Sequence, residues 1–257
     1  MKSTHLLDEA TKFLLRSHVL FSIRGIPIRI YELTFAWIAG IAIGLADLFS
    51  TFCLIFTFVL IGVWGSVLLH ELGHAFMAMT YGIHVKQIVL LPIGGVAVLE
   101  SIGRTPRQVI AIALAGPAIS VLLFCLPMCL LSVVDLFVSD ATRESVWFRT
   151  YLASSVGLSG FNLMILAFNL LPIYPLDGGR ILEGFFSIVF SSRTALRISY
   201  LTAVLGGSVI AFIGAIDHSL SQTMIGSLVL IFGGGESRSR LSKLNQITEK
   251  HPTPDQL

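Results

Sequence analysis

The residues of this chain whose types and spacing could do chemistry are His70-Glu71-Leu72-Gly73-His74, set in a stretch from Leu54 to Tyr81 that is otherwise apolar enough to cross a bilayer. Histidines four apart on a helix lie about 40° apart around the axis and roughly 6 Å apart along it, so both imidazoles can reach one metal ion. Glu71 is turned about 100° from His70, which leaves it beside the metal, able to take a proton from activated water instead of ligating. Gly73 keeps one side of the turn uncrowded. The plain alternative is a pair of satisfied core histidines. It is disfavoured because ionisable groups at bilayer depth are costly to bury and are usually functional.

A catalytic zinc takes three protein ligands and leaves one position for water. His70 and His74 supply two. Among carboxylates inside or bordering the apolar segments, Asp47 and Asp217 fall on the opposite side, Asp135 near the far end of its segment, and Glu100 and Glu183 near the same boundary as the histidines. Asp177 is favoured as the third. It sits in Leu176-Asp177-Gly178-Gly179 after Pro172 and Pro175, and the spacing predicts a non-helical turn that holds a carboxylate at the right depth, although an Asp-Gly turn taken alone is more often a helix cap. Asn162 and Asn169, seven apart and so on one helix face, are candidates to donate to a developing oxyanion, Asn169 ahead of Asn162. Each could equally bridge two helices.

These side chains need elements to carry them. The chain is 54% hydrophobic and 12% charged, with a mean hydropathy of +0.85, which makes it an integral membrane protein. No cleavable signal peptide is expected, because the first thirty residues mix charges with apolar positions. Cys53, Cys125 and Cys129 all fall in apolar segments and read as small buried hydrophobes, neither a disulfide framework nor a thiolate zinc site. A net charge of +2 with no basic patch argues against nucleic acid as a partner.

Residues 6–14 read as an amphipathic helix on the membrane or a solvated arm, and the alternation of Ile26, Ile28 and Ile30 predicts a short surface strand. From Leu33 to Leu69 the only charge is Asp47, and as one helix this stretch would measure about 55 Å against a hydrocarbon core of about 30 Å, so it is two spans. Two β-prone arms over Val85 to Glu100, around Pro92-Ile93-Gly94-Gly95, predict a hairpin. Further spans are expected near 109–137, around Ala115-Gly116-Pro117, and near 151–171, 196–216 and 224–232, the last stopped by Gly233-Gly234-Gly235, with a short helix before Phe190. The expected fold is therefore an all-α polytopic membrane protein of about six transmembrane helices, with a small membrane-associated β-hairpin after the second. Residues 1–30 form a surface segment, 31–235 the transmembrane core and 236–257 a polar tail. Of the 17 Lys and Arg, all but Arg143 and Arg149 fall on the side of both termini, which the positive-inside rule makes cytoplasmic. The expected setting is the lipid bilayer of a bacterial plasma membrane.

Taken together, His70-Glu71-Leu72-Gly73-His74, Pro92-Ile93-Gly94-Gly95, Ala115-Gly116-Pro117 and Asn169-Leu170-Leu171-Pro172 running through Pro175-Leu176-Asp177-Gly178-Gly179 resemble the site-2 protease family of intramembrane zinc metalloproteases, in order and spacing over roughly Ile26 to Phe232. The resemblance implies one Zn2+ per chain with Asp177 as its third ligand. It also implies a transmembrane or membrane-proximal segment of another protein as substrate, and a hairpin near Gly94 and Gly95 that helps to present it. It is to a compact form, with no room between His74 and Asp177 for an inserted peptide-binding domain and no C-terminal nucleotide-sensing domain. A regulatory membrane protein could then take part in substrate choice. One departure stands out: the family often has asparagine three residues after the Gly-Pro, where this chain has Ser120.

Two other functions fit histidines and carboxylates in spans. A zinc transporter needs a relay of sites across the membrane, and the far half offers few ligands. An inactive membrane scaffold would have no use for Glu71.

Overall fold

The computed structural model of the chain describes residues 16–34, 38, 50–91, 94–101, 103, 105–235 and 238–242. The segment 6–14, Asp47 with most of the first expected span, the Pro92-Ile93 turn and the end of the tail lie outside them. Two compact units make up the chain, Met1–Ile102 with Ala115–Leu166, and Gly103–Leu114 with Ala167–Leu257.

The first unit holds a sheet of four strands in the order β1 (Ser17–Ile23), β2 (Ile26–Tyr31), β3 (Val85–Leu91) and β4 (Gly94–Leu99). Ile26, Ile28 and Ile30 face the core from β2 while Pro27 and Arg29 take the other face, the period of two that a half-buried strand requires. β1 and β2 form an antiparallel hairpin through Arg24 and Gly25, both at positive φ. β2 and β3 pair in parallel, Ile28 against Ile88 and Ile30 against Leu90. Parallel neighbours need a crossover connection. Here the crossover contains α1 (Ser50–Thr80), the helix that carries the histidines.

The expected hairpin is thus β3–β4, half of a larger sheet, and the chain is mostly helical rather than all-α. β2 is the strand expected from Ile26, Ile28 and Ile30; β1 was not expected, nor was the pairing of β2 with β3 between residues sixty positions apart (Ile28 with Ile88), which local patterning does not reveal.

α1 ends in a Schellman motif: Ile83 N–H donates to Ala78 O (3.1 Å) and Gly82 N–H to Met79 O (2.9 Å), with Gly82 at φ +69°. The turn delivers the chain into β3. In the same unit Asn162 of α4 (Val146–Asn169) and Leu158 pack on α1, the latter against Gly62. α2 (Pro106–Phe137) belongs to this unit from Ala115 onward. Between α2 and α4 lies the short α3 (Asp140–Arg143), capped by Ser139. Cys125 and Cys129 are exposed on α2, not buried as expected, because an apolar helix face that meets lipid needs no protein cover.

In the second unit, α5 (Asp177–Val189), α6 (Ser192–Ile216) and α7 (Leu220–Val229) follow one another. α6 and α7 meet through small residues: a Cβ on Gly226 would stand 2.3 Å from Ala211 N. Gly233 and its neighbours do not stop the chain's last helix. They fall in or beside a π-helical turn, Leu230–Gly234, and helix resumes over 238–242. Gly233 is there for contact, since a Cβ on it would lie 2.3 Å from Tyr174 O.

Among the described residues, Pro106–Phe137, Val146–Asn169 and Ser192–Ile216 are long and apolar enough to cross a membrane. The Gly82 geometry gives a direct check. Gly82→Ala forces a side chain into the left-handed region and should cost about 1 kcal/mol, read as a lowered melting temperature in detergent.

Candidate metal centre

One turn of α1 separates His70 from His74, and the structure uses that turn to aim both rings at one point. The Nε2 atoms lie 3.1 Å apart, with ring centroids at 4.8 Å and planes at 76°. Both side chains are buried. Two nitrogens each about 2.0–2.1 Å from one tetrahedral ion would stand roughly 3.3 Å apart, so the pair has the spacing that a shared zinc asks for.

Room for an ion comes from α2. Its backbone crosses α1 so closely that a Cβ on Gly73 would lie 2.7 Å from Ala115 O. At Gly116 a Cβ would lie 2.2 Å from His74 Nε2 and 2.7 Å from His70 Nε2. Any side chain at 116 would fill the space that both nitrogens face. One turn further along α2, fully buried Ser120 places its Oγ 2.9 Å from His70 Nδ1. Were Nε2 to hold a metal, Nδ1–H would donate and Ser120 accept, the outer-shell bond that sets a ligand's ring orientation and tautomer. The departure from asparagine at this position leaves the contact in place.

Glu71 points to the sheet. Its Oε2 accepts the Ala97 N–H of β4 at 2.7 Å. That approach depends on Gly95, where a Cβ would stand 2.8 Å from Glu71 Cγ. The motif's glutamate is therefore held at a strand edge and stays off the ligand positions.

Of the other predicted residues, Asn162 is fully buried and donates to Ser66 Oγ on α1 and to Leu158 O, both at 2.9 Å. One amide hydrogen bridges α4 to α1, and the other is spent within α4 itself. Asn169 is the half-buried last residue of α4. Asp177 is buried, but it opens helix α5 instead of sitting in a non-helical turn. The prolines end α4, and two glycines then let the new helix start pressed against the preceding loop: a Cβ on Gly178 would lie 2.3 Å from Leu170 O, and one on Gly179 2.4 Å from Tyr174 N. Glu183 is tied to Arg240, Asp135 to Arg143, and Asp217 caps α6. Sequence reasoning missed Ser120 as a partner of His70, and Ala97 as a partner of Glu71. The Gly-Pro pattern pointed near the first; nothing local pointed to the second.

Comparison with known proteins finds a profile of Peptidase family M50 matching residues 58–148 and 130–213. A zinc metalloprotease of Methanocaldococcus jannaschii is 35% identical over 230 residues, 89% of this chain and 62% of that protein. Stage IV sporulation protein FB of Bacillus subtilis is 34% identical over 54% of this chain and 43% of its own length. The chain thus spans less than two thirds of these relatives. A solved structure, the site-2 protease from M. jannaschii, superposes with a TM-score of 0.59 at 30% identity, covering 86% of this chain and 95% of that one.

The opening at Gly116 can be closed by one methyl. Gly116→Ala should lower metal affinity by about tenfold or more, in the range seen when a site's supporting shell is disturbed. A Co2+ titration of the purified chain followed by its visible absorption measures it.

Proposed function

Because the chain belongs to peptidase family M50, we propose that it is an intramembrane zinc endopeptidase, hydrolysing peptide bonds within or next to the transmembrane segments of other membrane proteins. The observation that carries this reading is the pair of imidazole nitrogens 3.1 Å apart beside the space that Gly116 leaves, with Glu71 one residue along the same helix. One Zn2+ per chain would be held by His70, His74 and Asp177, each of them buried, the ligand set that the resemblance to the family implies. Two imidazoles and a carboxylate are the donor set of a catalytic zinc with one position left open.

The chemistry that zinc supplies in such a set is Lewis-acid activation of water and of the scissile carbonyl. Glu71 takes the proton of the attacking water on its carboxylate and hands it to the leaving amide nitrogen. Asn169 donates a hydrogen bond to the oxyanion. A substrate helix hides its peptide bonds in its own hydrogen bonds, so it must be unwound locally. β4, an edge strand of the sheet, offers backbone groups to an extended segment by strand addition.

Six spans with both ends in the cytoplasm complete the reading, supported by three membrane-length apolar helices and by the distribution of Lys and Arg. On this topology residues 1–30 lie at the membrane surface, 31–235 form the core and 236–257 a cytoplasmic tail. Substrate choice rests on the core, the tail or a regulatory membrane protein.

Two substitutions test the assignment. Glu71→Gln should leave zinc content unchanged and lower cleavage of a co-expressed membrane substrate by about 10²–10⁴-fold, the contribution of a positioned general base. Cleavage at the wild-type rate would reject the protease reading. Asp177→Asn should lower the zinc content of purified protein, and unchanged zinc would remove it from the ligand set.

A further inference from the structure

The start of α5 is held from outside. Its cap residue, Leu176, makes no side-chain capping bond, yet Asp177 directly after it is buried and helical. Ahead of it comes Tyr174, wholly buried and pressed by the π-turn at Gly233. Beyond it, about a turn and a half along α5, comes Glu183, also buried.

Arg240 joins the two. Its Nη2 donates to Glu183 Oε1 (2.7 Å) and its Nη1 to Glu183 Oε2 (2.9 Å) and to the Tyr174 hydroxyl (3.3 Å), with the guanidinium 6.0 Å from the Tyr174 ring centroid. Burial works against the Arg240 charge, but its hydrogen bond to Glu183 and the attraction of that carboxylate, with a smaller pull from Tyr174, outweigh it and hold its pKa above the ordinary arginine value. The guanidinium fork is the one side-chain geometry that grips a carboxylate at both oxygens while reaching a third acceptor. A charge pair this buried does not act as a surface ornament, since loss of either partner strands the other.

We propose that Arg240 is a positioning residue for Asp177: by tying Tyr174 before it and Glu183 after it, the segment over 238–242 fixes the loop–helix junction that presents the third metal ligand. The proposal rests on the reading of Asp177 as a zinc ligand. It gives the polar segment after the last π-turn a part in presenting Asp177, where the sequence suggested only a polar tail.

The test is Co2+ affinity and visible spectrum of the full chain in detergent, for wild type, Arg240→Ala, Arg240→Lys, Asp177→Asn and the doubles of each Arg240 variant with Asp177→Asn. Arg240→Ala should weaken Co2+ binding about tenfold and Arg240→Lys by a smaller factor, because a lysine cannot make the fork. In the Asp177→Asn background neither change should weaken binding further. Equal Co2+ affinity and spectrum in wild type and both Arg240 variants would overturn the proposal, as would losses that add in full to that of Asp177→Asn. If Arg240→Ala fails to fold, the lysine cycle decides alone. A wild-type chain that binds no Co2+, or an Asp177→Asn chain that binds it unchanged, would instead overturn the ligand assignment beneath it.

Discussion

Close backbone contact between α1 and α2 at Gly73 and Ala115 governs the geometry around the histidines. Packed helices ordinarily stand about 8–10 Å apart, held off by side chains. Here an added methyl at Gly73 would meet a carbonyl oxygen at 2.7 Å. At that separation the next turn of α2 can do two things at once. Gly116 leaves space in front of both Nε2 atoms, and Ser120, four residues on, reaches His70 Nδ1. α1 brings the two imidazoles together by its own period, and α2 supplies the space before them and one ring's orientation. A larger residue at 73 or 116 would separate these contributions.

The sheet has a matching role for the third member of the motif. Parallel pairing of β2 with β3 makes α1 part of a crossover, so the helix is anchored to the strands at both ends of the connection. β4 lies at the edge, and its Ala97 amide is spent on Glu71. The carboxylate proposed to handle the proton and the strand edge proposed to receive substrate are therefore neighbours by construction. An extended segment entering along β4 would meet Glu71 at the Ala97 amide.

Much of this was legible in the residues. The convergence of His70 and His74 is written in their spacing, because a helix turns residues four apart towards one point. The alternation of Ile26, Ile28 and Ile30 revealed a strand, and Pro172 marked the end of α4. What escaped has a common cause. The strand's partner, Ile88, is sixty positions away; Ala97 reaches Glu71 through its backbone amide, which leaves no trace in residue type; and Gly233 reads as a helix stop until the carbonyl of Tyr174 is seen beside it. Arg240 looked like one more charge in a polar tail, because its partner Glu183 lies on another helix. Local patterns report local structure. Contacts between distant segments set the rest.

The central claim is that one zinc is bound by two imidazoles and a carboxylate. X-ray absorption at the zinc edge of the purified full-length chain tests it most directly. The account predicts four nitrogen or oxygen neighbours at about 2.0–2.1 Å with the outer-shell scattering of two imidazole rings. A sulfur shell at about 2.3 Å, or the scattering of fewer than two imidazoles, would contradict it.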